Sequence, residues 1–270
     1  MGLVESAISG HPGAVFEMIL RRSKSQHAPR KRMPTIRIRP DDVFIVSYPK
    51  SGNTWVRFIL ANLLAPGETI TFRNIDNYVA DIYRCGASLK DRQGRRYIKS
   101  HDLCYDLYPK LIYIYRDGRD ALVSYYHYAV GKKRFAGKFA DFLLSSFATK
   151  FSSWREHVQG ACDFASKHPD RILMLRYETM LEDPLAGASN ISAFLGLSCN
   201  DQTIAKAVEL SSFEQLKTME QEFGGERIDK PVNFFRHGGS GQWRDYFSAE
   251  LYEKFCSENG AILLRLGYEL

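Results

Sequence analysis

Four consecutive apolar residues, Val43-Phe44-Ile45-Val46, stop at Tyr48-Pro49, and within a few positions a helical pattern takes over. A run that short, rich in β-branched residues and closed by a turn signal, reads as a strand buried on both faces. The helical pattern runs from Asn53 to Leu64, with Trp55, Phe58, Ile59 and Asn62-Leu63 on its period, and ends near Pro66-Gly67. This strand–loop–helix order recurs. Tyr97-Ile98-Lys99, Leu111 to Tyr115 and Arg171 to Tyr177 read as strands. Asp117 to Val130, Phe139 to Lys167, Ile191 to Leu197, Asp201 to Leu210 and Ala249 to Leu266 read as helices. Alternation of this kind predicts an α/β fold, a parallel β-sheet flanked by helices on both faces and joined by right-handed crossovers. Ligands of such sheets bind beyond the carboxyl ends of the strands, which is where the chemistry-bearing motifs fall.

Charge qualifies this picture. The chain has 270 residues and a formal net charge of +6, which alone suggests nucleic acid, a membrane surface or an anionic small molecule. The excess is local. Eight of the 37 basic residues lie between Arg21 and Arg39 with no Asp or Glu among them, leaving 29 basic against 31 acidic elsewhere. Residues 1–41 are therefore expected to form a basic arm, with a short helix at Val15 to Leu20, and residues 42–270 a single domain. Five scattered cysteines without a C-x-x-C pair argue for a reducing, cytoplasmic setting rather than a disulfide scaffold or zinc site. No apolar run reaches the ~20 residues of a membrane span, and the first twenty residues lack a signal-peptide core.

Three loops carry an anion-binding pattern. In Ser47-Tyr48-Pro49-Lys50-Ser51-Gly52-Asn53-Thr54-Trp55, Gly52 allows close backbone approach and the following helix offers orphan N–H groups and its dipole. Lys50 adds a cation, Ser51 and Thr54 hydroxyls, and Trp55 a face for stacking a base. The pattern is not the Walker sequence. In Tyr115-Arg116-Asp117-Gly118-Arg119-Asp120, Arg116 ends a strand, and Ser124 lies about two turns into the next helix. Taken alone, Arg116, Asp117, Arg119 and Asp120 read equally as surface ion pairs. Near the carboxyl end, Arg236-His237-Gly238-Gly239-Ser240-Gly241-Gln242-Trp243 is a glycine loop able to close on an anion.

These segments resemble those of the cytosolic-type sulfotransferases. Tyr48 to Trp55 resembles their 5′-phosphosulfate loop, Tyr115 to His127 their 3′-phosphate motif, and Arg236 to Trp243 their carboxy-terminal glycine loop. Lys99-Ser100-His101 resembles the segment that bears their catalytic base. The resemblance implies sulfuryl transfer from 3′-phosphoadenosine 5′-phosphosulfate (PAPS) to a hydroxyl, less often an amine, of a small-molecule acceptor, giving 3′,5′-ADP (PAP). It implies that Lys50, Ser51, Gly52, Asn53 and Thr54 hold the phosphosulfate and that Trp55 stacks on adenine. Arg116, Ser124, Arg236, His237 and Gly238 would hold the 3′-phosphate, with Tyr177, Ser212 and Phe213 beside the nucleotide. His101 would be the general base, with Lys99 beside it and Lys50 meeting the charge that grows on the leaving oxygen, and no metal is called for. His237 stands where the family has lysine. The family's dimer signature is degraded at Arg244 to Glu253, which leaves monomer and dimer both open. A nucleotide kinase, or a nucleic-acid-binding module using the arm, is the competing expectation.

Overall fold

The computed structural model describes residues 17–18, 36–225, 235–236 and 238–270. Its centre is a five-stranded, wholly parallel sheet in the order β4-β5-β3-β6-β7. The strands of this sheet are β3 (Val43–Ser47), β4 (Val79–Asp81), β5 (Tyr97–Ser100), β6 (Lys110–Tyr115) and β7 (Ile172–Arg176). A short pair, β1 (Glu17–Met18) with β2 (Ile36–Arg37), is antiparallel. Glu17–Met18 is thus extended, not part of the helix expected at Val15 to Leu20, and the rest of that stretch lies outside the described residues. The expected boundary at residue 41 falls within packed chain. Ile36 and Ile38 are buried in the core, and the Arg39 guanidinium donates to the carbonyls of Arg92 (2.7 Å) and Lys90 (2.9 Å).

Side-chain alternation along the strands assigns the two faces. Val43, Ile45, Ile112 and Ile114 point to one side, against Val56, Ile59, Leu60 and Leu63 of the helix Asn53–Leu64. Phe44, Val46, Leu111 and Tyr113 point to the other, against Ala161 and Phe164 of the helix Trp154–Lys167. A third cluster joins Tyr48 to the helices Gly118–Gly131 and Ala249–Arg265 through Phe142, Trp154 and Phe255. At ~1.5–3 kcal/mol for each large apolar side chain fully buried, these layers supply the driving force.

Two expectations need correction. The stretch Phe139 to Lys167 is not one helix but two, Phe139–Leu144 and Trp154–Lys167. Ser145 Oγ donates back to the Phe142 carbonyl at 2.7 Å, an alternative to continuing the helix. Ser152 then adopts φ 80°, and Ser153 with Glu156 forms a capping box that starts the next helix. The intervening segment is drawn onto the β3 loop by Tyr48 Oη, which donates to the Ala148 carbonyl at 2.6 Å. The other correction is Tyr177, which opens the helix Tyr177–Glu182 rather than ending β7.

Candidate functional site

The site assembles at the carboxyl ends of β3, β5, β6 and β7. After β3 the chain turns through Lys50 at φ 67° and Gly52 at φ 99° into the helix Asn53–Leu64. The Gly52 cap contributes no side chain to that helix and no acidic residue lies in its first turn, so its amino end keeps its positive character. Glycine is obligatory at 52 on two counts: the left-handed backbone, and a Cβ there would lie 2.7 Å from Tyr177 Cδ2. Ser51 and Thr54 are buried, and Asn53 Nδ2 donates to the Ile45 carbonyl at 3.2 Å. Lys50 Nζ lies 5.1 Å from the centre of the Tyr128 ring.

Arg116, at the end of β6, links the loops. Its Nη1 donates to the Lys50 carbonyl (3.3 Å), its Nη2 to the Gly239 carbonyl (2.8 Å), and its guanidinium lies over the Tyr177 ring at 4.4 Å. Tyr177 Oη donates to the Gly238 carbonyl at 3.3 Å. Gly238, at φ 70°, presses on Phe213, whose ring a Cβ would meet at 2.5 Å. Lys50, Gly52, Arg116, Tyr177, Phe213 and Gly238 are therefore in one contact chain, although they span nearly 190 positions of sequence. Trp55 stands edge-on to Tyr177 at 5.8 Å. Ser124 is half-buried on the helix Gly118–Gly131. Ser212 caps the helix Phe213–Phe223, accepting from Gln215 N at 3.3 Å. The Arg236 guanidinium donates to Gln242 Oε1. His237 lies outside the described residues.

Among the described residues, several buried polar atoms here have no hydrogen-bond partner: Ser51 Oγ, Asn53 Oδ1 and Arg116 Nε. Orphaned buried groups are costly, by about 1–3 kcal/mol each. A hydroxyl, a guanidinium edge and an uncapped helix start, held around a glycine that admits close approach, fit an anionic phosphate or phosphosulfate.

His101 follows β5. Its Nδ1 lies 2.7 Å from the Ser47 carbonyl, which can only accept, so Nδ1 carries the proton and Nε2 the lone pair. Burial, aided by the charge of Lys99, lowers its pKa well below the usual 6.5, so the ring is neutral near pH 7. Its main-chain N–H donates to Tyr83 Oη at 2.7 Å, and Tyr83 Oη donates to Asp102 Oδ2 at 2.7 Å. The rings of Tyr83 and Phe151 lie 6.2 and 5.3 Å from the imidazole. Lys99 is buried, with Nζ 3.1 Å from Asp81 Oδ2. Burial opposes ionisation of Asp81, but Lys99, Arg57 and Arg84 outweigh it and hold the carboxyl far below its usual range.

Sequence reasoning missed the groups that brace this arrangement. Asp120 Oδ2 and Oδ1 accept from Gly241 N (2.6 Å) and Trp243 N (3.0 Å), tying the carboxy-terminal loop to the helix after Arg116. Glu178 accepts from Asp117 N and from Tyr268 Oη. Asp117 and Arg119 are indeed an ion pair, but a buried one whose Arg119 also donates to the Glu269 carbonyl. Trp154 Nε1 donates to the Arg116 carbonyl at 3.1 Å. An acid in the first helical turn after a strand-end Arg, four positions from Arg116, was the available signal for Asp120.

Comparison with known proteins fits this geometry. Residues 40–259 match the family model described as sulfotransferase domain. Cytosolic sulfotransferase 17 of Arabidopsis thaliana is 30% identical over 253 residues, which cover 79% of this chain and 71% of that protein. Sulfotransferase 1 family member D1 of Rattus norvegicus is 31% identical over 247 residues, 80% of this chain and 81% of that protein. The crystal structure of mouse sulfotransferase SULT7A1 complexed with PAP has a TM-score of 0.69 at 27% identity over 86% of each chain. Retinol dehydratase in a complex with retinol and PAP has the same fold, with a TM-score of 0.69 at 23% identity over 86% of this chain and 83% of that one.

Proposed function

The chain belongs to the sulfotransferase family of the cytosolic type, and from that premise we propose that it transfers a sulfuryl group from PAPS to a hydroxyl, less often an amine, of a small-molecule acceptor, with His101 as general base. The observation that carries the base assignment is the 2.7 Å hydrogen bond from His101 Nδ1 to the Ser47 carbonyl. It leaves Nε2 as the acceptor of a proton, on a ring anchored at Ser47, where the loop that would hold the donor begins.

The donor, when bound, supplies a sulfuryl group on a phosphosulfate bridge whose oxygen departs with the nucleotide. Ser51, Gly52, Asn53 and Thr54 would receive the phosphosulfate through the helix start, and Arg116, Ser124, Arg236, His237 and Gly238 the 3′-phosphate. Tyr177, Trp55, Ser212 and Phe213 would border the adenosine. Lys50, on the strained loop, would meet the charge growing on the leaving oxygen, the kind of electrostatic term that usually contributes most. His101 Nε2 takes the acceptor proton as the acceptor oxygen bonds to sulfur. Lys99, two positions before His101 and held by Asp81, adds a positive charge that helps keep the His101 ring neutral, with its lone pair free. Tyr83 and Phe151, beside the imidazole, would form an aromatic wall for the acceptor.

The relatives' names favour a cytosolic location, and no helix among the described residues is long and apolar enough to cross a membrane. An acceptor screen with PAPS, read as the gain of one SO3 in mass, tests the reaction. Titration calorimetry tests the donor. Binding of 3′,5′-ADP without Mg2+ is expected, whereas Mg2+-dependent ATP binding with none for 3′,5′-ADP would overturn the reading.

A further inference from the structure

His157, on the helix Trp154–Lys167, is fully buried, and nothing in the reaction so far uses it. It is not an inert core residue, because both ring nitrogens are engaged. Nε2 lies 3.2 Å from the main-chain carbonyl of His101. Nδ1 lies 2.7 Å from Tyr113 Oη and 3.0 Å from Tyr105 Oη. Tyr105 Oη donates its proton to the His157 carbonyl at 2.7 Å. The proton positions follow from these partners. A carbonyl can only accept, so Nε2 carries the hydrogen; Nδ1 therefore holds the lone pair and accepts from Tyr113 Oη. Burial lowers the His157 pKa to about 4, in keeping with a neutral ring of one tautomer.

The effect falls on His101. Its imidazole is fixed through Nδ1 to Ser47, its main-chain N–H is fixed to Tyr83 Oη, and its main-chain carbonyl is fixed to His157. The residue follows the last position of β5, and the chain continues irregularly from Asp102 to Cys104, so the sheet ladder stops short of it. Tyr113 belongs to β6 and His157 to a helix on the far side, so the carbonyl is tied to rigid elements. We propose that His157, oriented by Tyr113, is a positioning residue for the transfer step: by holding the His101 carbonyl it sets the direction in which His101 Nε2 points. The proposal rests on the reading of His101 as the base.

The test compares His157→Phe, which removes the donor, with His157→Gln, whose side-chain amide N–H reaches a position similar to Nε2–H. Tyr113→Phe releases the tautomer lock without touching His157. The readouts are kcat and KM for the acceptor and the Kd of 3′,5′-ADP. Misplacing a reacting group by about 1 Å costs on the order of a hundredfold in rate. His157→Phe is expected to lower kcat by about ten- to hundredfold while the 3′,5′-ADP Kd stays within about twofold. His157→Gln should recover most of that loss, and Tyr113→Phe should lower kcat by about threefold or more. Unchanged kcat in His157→Phe overturns the proposal. So does an equal kcat loss in the Phe and Gln variants, which would mark a packing role only. If His157→Phe does not fold, Gln and Tyr113→Phe carry the test: kcat lost in His157→Gln, or unchanged in Tyr113→Phe, overturns it. His101→Ala in parallel separates this from failure of the base reading, because retained turnover there sinks the base assignment itself.

Discussion

Gly52→Ala is the perturbation whose consequences the structure specifies most fully. Gly52 sits at φ 99°, where an L residue carries a backbone penalty of roughly 1–2 kcal/mol. The new methyl would also stand 2.7 Å from Tyr177 Cδ2 and 3.1 Å from Cε2, well inside contact distance. Tyr177 cannot retreat freely: its ring carries the Arg116 guanidinium and its hydroxyl reaches the Gly238 carbonyl. Overpacking of this kind costs about 1–3 kcal/mol. The total is about 2–5 kcal/mol. Gly67 is the internal control. It has a similar φ of 93°, and an added methyl there would meet nothing within 4 Å among the described residues, so Gly67→Ala incurs the backbone penalty alone. At about 2–4 °C per kcal/mol for a domain of this size, Gly52→Ala should melt about 4–20 °C lower and Gly67→Ala about 2–8 °C lower. The assay is thermal unfolding with and without 3′,5′-ADP, with calorimetric Kd. Displacing Tyr177 should also weaken 3′,5′-ADP binding in Gly52→Ala and leave it intact in Gly67→Ala. Equal melting temperatures for the two variants, with equal nucleotide affinity, would refute the claim that Gly52 is where the first loop and Tyr177 meet.

Other outcomes follow from the same contacts. His157 titrates at about 4 when folded against ~6.5 unfolded, so its contribution is whole above pH 6.5 and is lost as pH falls toward 4. His157 alone should make the stability by urea unfolding about 2 kcal/mol lower at pH 5 than at pH 7.5; His101, also held below its usual range, adds to the fall, so His157→Gln should reduce that slope without abolishing it. Asp120→Ala removes two hydrogen bonds to a carboxylate, at about 1.5–3 kcal/mol each, and should weaken 3′,5′-ADP about ten- to hundredfold by freeing the carboxy-terminal loop; an unchanged Kd would count against that loop's role. Asp81→Asn leaves the Lys99 ammonium buried without its counter-charge and should cost about 3–5 kcal/mol by denaturant unfolding, with Lys99→Met added in the same chain recovering part of it.

The elements that could be read from sequence are those whose burial is continuous. Val43 to Val46 and Leu111 to Ile114 are buried on both faces and so appear as unbroken apolar runs. Ten of the twelve residues of Asn53–Leu64 are buried, which is why its helical period was clear although its apolar stripe was broad. Val79–Asp81 escaped because three residues carry no period, and its aspartate reads as loop until Lys99 is seen across the sheet. The break after Leu144 escaped because it rests on Ser145 and Ser153 bonding the backbone, a local choice that composition does not reveal. Among site residues, the motif positions were legible, whereas Asp120, Glu178 and His157 were not. Their roles come from partners 123, 90 and 56 positions away. The Ser47 contribution is a main-chain carbonyl, to which any residue type is equivalent.

With His101 as the base, removing its side chain should stop transfer of the sulfuryl group without loosening the nucleotide. The most direct measurement compares His101→Ala with the unaltered chain for transfer rate from PAPS, with 3′,5′-ADP affinity measured on the same samples. General-base catalysis contributes about 10²–10⁴-fold. A loss of at least about a hundredfold in transfer rate is expected, with nucleotide affinity within about twofold. A transfer rate within about tenfold of the unaltered chain, at undiminished nucleotide affinity, would contradict it.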